Sequence, residues 1–173
     1  MIRETTKRVA ILGVISAFAA ILSYIEAILS FGFFIPGVKL GLANIAVVIV
    51  MYIYGNKDAF FVNIIRIIVV GLLFTNMFSI MFSISGAAIS YIVMILLKKL
   101  NVFSPIGVSV AGGVAHNVGQ LIIAMFIIDS YSVINYLPIL MIAGIICGLI
   151  VGIVSLMVIK YLKVILRKRD ILW

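Results

Sequence analysis

One arginine, one glutamate and one histidine stand inside apolar runs of this sequence, and each type can hold or move charge. Arg66 lies in NIIRII, Glu26 in SYIEAIL, and His116, the single histidine, in VAGGVAHNVGQLIIAMF at residues 110–126. A guanidinium keeps its charge inside a protein, so Arg66 must meet an anion, a carboxylate or several carbonyls. Its alternatives are a ligand anchor and a buried pair with Glu26. Gln120 follows His116 by four residues and shares its helix face, whereas Asn117 points roughly 100° away and reads as a packing hydrogen bond. The His116–Gln120 strip reads as one wall of a ligand site; a histidine satisfied by a neighbouring helix is the alternative.

A fourth element is SFGFFIPGVKLGLAN. Its Pro-Gly turn immediately precedes a new helix, which puts Lys39 in a first turn where free N–H groups and the dipole favour an anion. Asn44 falls about one turn further in. Phe33 and Phe34 either cap a cavity or anchor the loop at the interface.

These side chains need elements to position them, and the composition dictates which. Of 173 residues, 66% are hydrophobic and only 10% charged, against about 25% charged in soluble domains. So much apolar surface requires lipid as the solvent. A helix needs about 20 apolar residues to cross a hydrocarbon core of about 30 Å. The chain then divides into six segments at 9–29, 40–55, 58–75, 77–97, 104–128 and 135–160. The first is long enough to be a retained span rather than a cleaved signal peptide.

The reading is an all-α integral membrane protein, a single domain over 1–173 with six transmembrane helices. Eleven of the 13 Lys and Arg fall on one side of such a bundle; Lys39 falls on the other and Arg66 within a crossing. The positive-inside rule puts that basic side, with both termini, in the cytoplasm. The basic excess is thus a topology signal in a multi-pass protein of the cell membrane, and nucleic acid is not an expected partner.

Gly107, Ala111, Ala115 and Gly119 recur every four residues in the fifth segment, and Gly144, Gly148 and Gly152 in the sixth. Such stripes let helix backbones approach closely in lipid. Cys147 has no partner for a disulfide or CxxC site and reads as a small packing residue. No metal or cofactor is expected. Asp58, Asp129 and Asp170 each stand alone, where prenyl transfer needs clustered carboxylates to hold magnesium on a diphosphate. There is no P-loop. The chain is expected not to be an enzyme. Glu26, Lys39 and Asn44 in the outer half, with Arg66, His116 and Gln120 near mid-depth, outline an apolar-walled pocket open to the outside.

PGVKLGLANI followed by AHNVGQL resembles the Gx transporter family, whose members are often labelled heptaprenyl diphosphate synthase component I. The resemblance spans essentially the whole chain. That family is similar to the substrate-binding S components of energy-coupling factor (ECF) transporters, six-helix subunits that bind micronutrients from outside. The resemblance implies a small-molecule substrate, a transmembrane coupling subunit and two cytoplasmic ATPases as partners, and no resident cofactor. It makes the Pro36–Lys39 region a lid and Asn44 and His116 pocket residues. S components dock through Ala-x-x-x-Ala on the first helix, and the matching positions here are Gly13 with Ala17 and Ser16 with Ala20. The expected function is an S component binding a small, anionic or amphipathic ligand from the outer face. The alternatives are a membrane accessory subunit for polyprenyl diphosphate or quinone biosynthesis, and a stand-alone channel or carrier.

Overall fold

A computed structural model describes residues 2–30, 41–74 and 76–168, without the side chains of residues 2–4, 27, 29, 30 and 166–168. These residues form α1 (Ile2–Ser30), α2 (Leu42–Ile53), α3 (Asn56–Phe74), α4 (Met77–Lys99), α5 (Pro105–Ile128) and α6 (Leu137–Lys168). A 3-10 turn over Tyr131–Tyr136 precedes α6. No strand occurs among the described residues. Helices α1, α4, α5 and α6 are long and apolar enough to cross a membrane. The bundle also turns Val14, Phe18, Leu72, Phe126 and Ile150 outward. This exterior belongs to an all-α membrane protein.

The other two helices differ from simple spans for separate reasons. Helix α3 has 19 residues, roughly 28 Å, but it carries Lys57, Asp58 and Arg66. Helix α2 was expected over 40–55 and covers only 12 residues, roughly 18 Å against a hydrocarbon thickness of about 30 Å. It is the central helix. Ala43, Ala46 and every residue from Val47 to Met51 are buried, against α1, α3, α5 and α6. Length and all-round burial make it a core helix.

Basic residues gather at one end of the bundle. Arg8 of α1 pairs with Asp58 of α3 at 2.6 Å and donates to the Tyr54 carbonyl at 3.2 Å. Lys98, at the end of α4, donates to the Met51 carbonyl and to Asn56 Oδ1 at 2.9 Å. Its charge therefore meets the carbonyl end of the α2 dipole. Lys163 of α6 lies within electrostatic reach of Lys98.

The glycine stripe of α6 packs on α5. A Cβ at Gly148 would lie 2.6 Å from the Val110 Cα, and one at Gly144 would lie 2.9 Å from the Val114 Cα. The α5 side of this contact is not the expected stripe. Gly113 meets α6, its Cβ position 2.6 Å from the Gly144 carbonyl oxygen, while Gly119 turns to Ser85 and Gly86 of α4. One helix with two close neighbours needs small residues on two faces, and the four-residue spacing described only one.

Candidate functional site

All six helices contribute to a cavity of about 480 Å³, within the range of small-molecule pockets. It reaches Phe74, Asn76 and Ser79 at the α3–α4 junction and runs inward to Met94 and Ser109. Its lining thus reaches the end of the bundle opposite Arg8, Lys98 and Lys163 and stops one turn short of Lys98.

Arg66 projects from α3 into this space. Three neutral side chains from three helices fix its guanidinium. Nε donates to Asn63 Oδ1 at 2.9 Å, Nη1 to Ser23 Oγ at 3.2 Å and Nη2 to Asn44 Oδ1 at 2.8 Å. A guanidinium has five N–H groups, so among the described residues one on each terminal nitrogen remains without a partner. Asn63 reaches Arg66 because three residues along a helix return to one face.

Glu26 is buried on α1 and lines the same cavity. Its carboxylate accepts the Gly41 N–H at 2.5 Å and lies within electrostatic reach of Arg66. Among the described residues, Arg66 donates its hydrogen bonds to neutral groups and feels Glu26 through space. Gly41 adopts the left-handed region at φ 75°, open to glycine because it has no Cβ, and its carbonyl accepts the Asn44 N–H at 2.8 Å. Glu26 and Arg66 thus grip the first turn of α2 from two sides.

His116 lines the opposite wall. Its ring fits against Gly86 of α4, where a Cβ would fall 2.8 to 2.9 Å from ring atoms. Asn117 donates to the Leu140 carbonyl at 2.7 Å, a cross-link from α5 to α6, and it also lines the cavity.

The structure therefore brings Glu26, Asn44, Arg66 and His116 into one cavity. Lys39, with Phe33, Phe34 and Pro36, lies outside the described residues. Gln120 is buried but is not part of the cavity wall. The α5 part of the lining runs from Ser109 to Asn117, and Gln120 lies beyond its end, one turn or about 6 Å past His116. Among the described residues its side-chain oxygen has no hydrogen-bond partner. On α1, Gly13 and Ala17 face outward and Ala20 is half-buried. Ser16 does not share that face: it is buried and donates to the Leu12 carbonyl at 2.8 Å.

Sequence reasoning missed the serines. Ser23, Ser83, Ser90 and Ser109 all line the cavity. A signal existed, since Ser79, Ser83 and Ser90 stand at i, i+4 and i+11 of an apolar helix and so share one face. Cys147, read as a packing residue, is a free thiol in the wall.

A model of the family described as heptaprenyl diphosphate synthase component I matches residues 15–158. No curated protein matches the chain, and no solved structure does.

Proposed function

The chain belongs to the heptaprenyl diphosphate synthase component I family, and from that premise we propose that it is the S component of an ECF-type importer. In this reading the bundle crosses the cell membrane around the buried α2, with both termini and the basic end in the cytoplasm, as the positive-inside rule requires. The cavity then opens outward and takes a small anionic or amphipathic ligand. The chain has no catalytic role. A transmembrane coupling subunit docks on the small residues of α1, the outward Gly13 and Ala17 with the half-buried Ala20, and two cytoplasmic ATPases hydrolyse ATP.

The observation that carries the reading is Arg66, a charged group in a cavity, oriented by Ser23, Asn44 and Asn63 with N–H groups left over. Holding a bare guanidinium so deep is costly, and by default such a residue marks a substrate path. The second reading is an accessory subunit in polyprenyl diphosphate or quinone biosynthesis, which the family description favours. A cavity that reaches the α3–α4 junction, away from the basic residues, favours import, because an accessory subunit would serve an enzyme on the cytoplasmic side.

The test is native mass spectrometry of the purified protein, wild type against Arg66→Ala. A small molecule retained by the wild type should be lost from the variant, since a charge-assisted hydrogen bond contributes about 1.5–3 kcal/mol and roughly 1.4 kcal/mol is tenfold in affinity. Arg66→Lys should restore it only in part, for lysine lacks the planar fork. A molecule held equally by the wild type and Arg66→Ala would overturn the reading. Co-purification with coupling ATPases, as against a prenyl synthase subunit, separates the two functions.

A further inference from the structure

A second recess lies on the flank of the bundle, away from the central cavity. Helices α3 and α4 join between Phe74 and Met77. At their other end, among the basic residues, a groove of about 350 Å³ opens between them, lined by Asn56, Lys57, Phe60, Phe61, Tyr91 and Ile95. Phe60 and Phe61 are 46% and 60% exposed. The Phe60 ring stands 6.0 Å from that of Phe61 and 5.7 Å from that of Tyr91. Tyr91 donates to the Asn56 carbonyl, which ties the two walls together.

Each wall runs from charge to hydrocarbon. Phe60 and Phe61 follow Lys57 by three and four residues, and Lys99 follows Ile95 by four, so each lysine shares a helix face with the apolar residues beneath it. The two rings lie about 4.5–6 Å further along the bundle than Lys57, the depth at which headgroups give way to acyl chains. Lys57 and Lys99 are exposed, and neither has a hydrogen bond or ion pair among the described residues. The neighbouring carboxylate, Asp58, is held by Arg8 at 2.6 Å. Lys98 adds its charge to the same end, with Nζ 2.9 Å from Asn56 Oδ1. The rim is cationic and the groove below it apolar. Size narrows the occupant. One turn of a partner helix, about 10 Å across and 5.4 Å high, fills roughly 420 Å³, more than the groove holds, whereas an acyl chain is thin enough to enter.

We infer that this groove seats an anionic phospholipid from the leaflet at the basic end, its phosphate on Lys57 and Lys99 and one acyl chain against Phe60, Phe61, Tyr91 and Ile95. Two cations without a described counter-charge select a lipid of net negative charge over a zwitterionic one, whose own ammonium would meet them. The inference needs only the membrane exterior of the bundle and stands apart from the import reading.

The test places a tryptophan in the groove. The full chain carrying Phe61→Trp and Trp173→Phe keeps a single tryptophan and is reconstituted in phosphatidylcholine vesicles. A minor fraction of the lipid is then replaced by phosphatidylglycerol or phosphatidylcholine with brominated chains, which quench tryptophan on contact. Each lysine beside a headgroup favours an anionic lipid roughly fivefold, so phosphatidylglycerol should lead by at least about tenfold. Lys57→Gln with Lys99→Gln should remove most of that preference. Lys7→Gln with Lys160→Gln, an equal loss of charge from exposed positions of α1 and α6, should leave it. Ile95→Trp in place of Phe61→Trp repeats the measurement from the α4 wall. Equal quenching by the two lipids would overturn the inference, leaving lipid in the groove as solvent alone. An equal fall with both lysine pairs would overturn it too, because the attraction would then belong to the whole basic end. No quenching by either lipid would mean that a second copy of the chain covers the groove, and would overturn it as well.

Discussion

Replacing Gly86 with alanine should damage the cavity more than the fold, and replacing Gly148 should do the reverse. A Cβ at Gly86 would lie 2.8 to 2.9 Å from three atoms of the His116 ring, against about 3.5–4.0 Å for an ordinary carbon contact. The ring must therefore retreat by roughly 0.6–1.2 Å, and it borders empty space into which it can swing. At Gly148 the new atom would meet the Val110 Cα at 2.6 Å and the Ser109 carbonyl oxygen at 2.9 Å. Backbone cannot swing aside, so α5 and α6 must separate. Overpacking costs typically 1–3 kcal/mol; Gly86→Ala belongs near 1 kcal/mol, and Gly148→Ala at the upper limit or beyond it. Thermal unfolding of the purified protein measures both, with ligand retention measured alongside. Gly86→Ala should unfold within a few degrees of the wild type yet lose ligand, whereas Gly148→Ala should unfold well below it. In a His116→Ala background the penalty of Gly86→Ala should vanish, because the ring it collides with has gone. An unchanged penalty in that background would refute the argument.

Two further outcomes follow from topology and packing. Tyr131, exposed at the start of the 3-10 turn, should react as Tyr131→Cys in a Cys147→Ser chain with an impermeant reagent added outside; labelling from the cytoplasm would invert the bundle. Ala17→Leu adds bulk to an outward position of α1, and should block assembly with a coupling subunit while sparing ligand binding, since close helix approach in lipid needs small side chains; normal assembly would remove this face from consideration.

The long helices were legible because lipid imposes a length and an apolar composition that residues 77–97 or 104–128 satisfy on their own. Arg66, Glu26 and His116 were legible for the same reason, as titratable groups in the wrong solvent. Helix ends were less so. Helix α6 continues to Lys168, because a helix need not stop where hydrocarbon does. What stayed hidden depends on rotation about helix axes and on depth along them, which spacing alone leaves open. Gln120 sits one turn from His116 and leaves the wall, while Asn117, assigned to packing, both packs and lines. Ser16 and Ala17 are neighbours in sequence, yet one is inside and the other outside. The serines of α4 hide better still, since a hydroxyl in an apolar helix can be satisfied by its own backbone and draws no attention.

Glu26 follows from the shortness of α2. The α2–α3 turn sits at the basic end, held by Arg8 and Lys98, and α2 extends only about 18 Å from it. Its first turn therefore opens at membrane depth, where irregular backbone is tolerated only when it is buried in protein or lines a cavity. Gly41 lines the cavity, and Glu26 accepts its N–H. The carboxylate thus serves the backbone first and neutralises Arg66 through space second, and the two roles separate by substitution. Glu26→Gln keeps an acceptor for Gly41 and removes the charge, so it should cost little in thermal stability. Glu26→Ala leaves a buried N–H unsatisfied, a penalty of about 1–3 kcal/mol, and should unfold at a clearly lower temperature. If Arg66 and Glu26 were instead a structural ion pair, the charge would dominate and the two variants would fall together. Equal losses in Glu26→Gln and Glu26→Ala, relieved by adding Arg66→Gln, would support that pair over the backbone clamp.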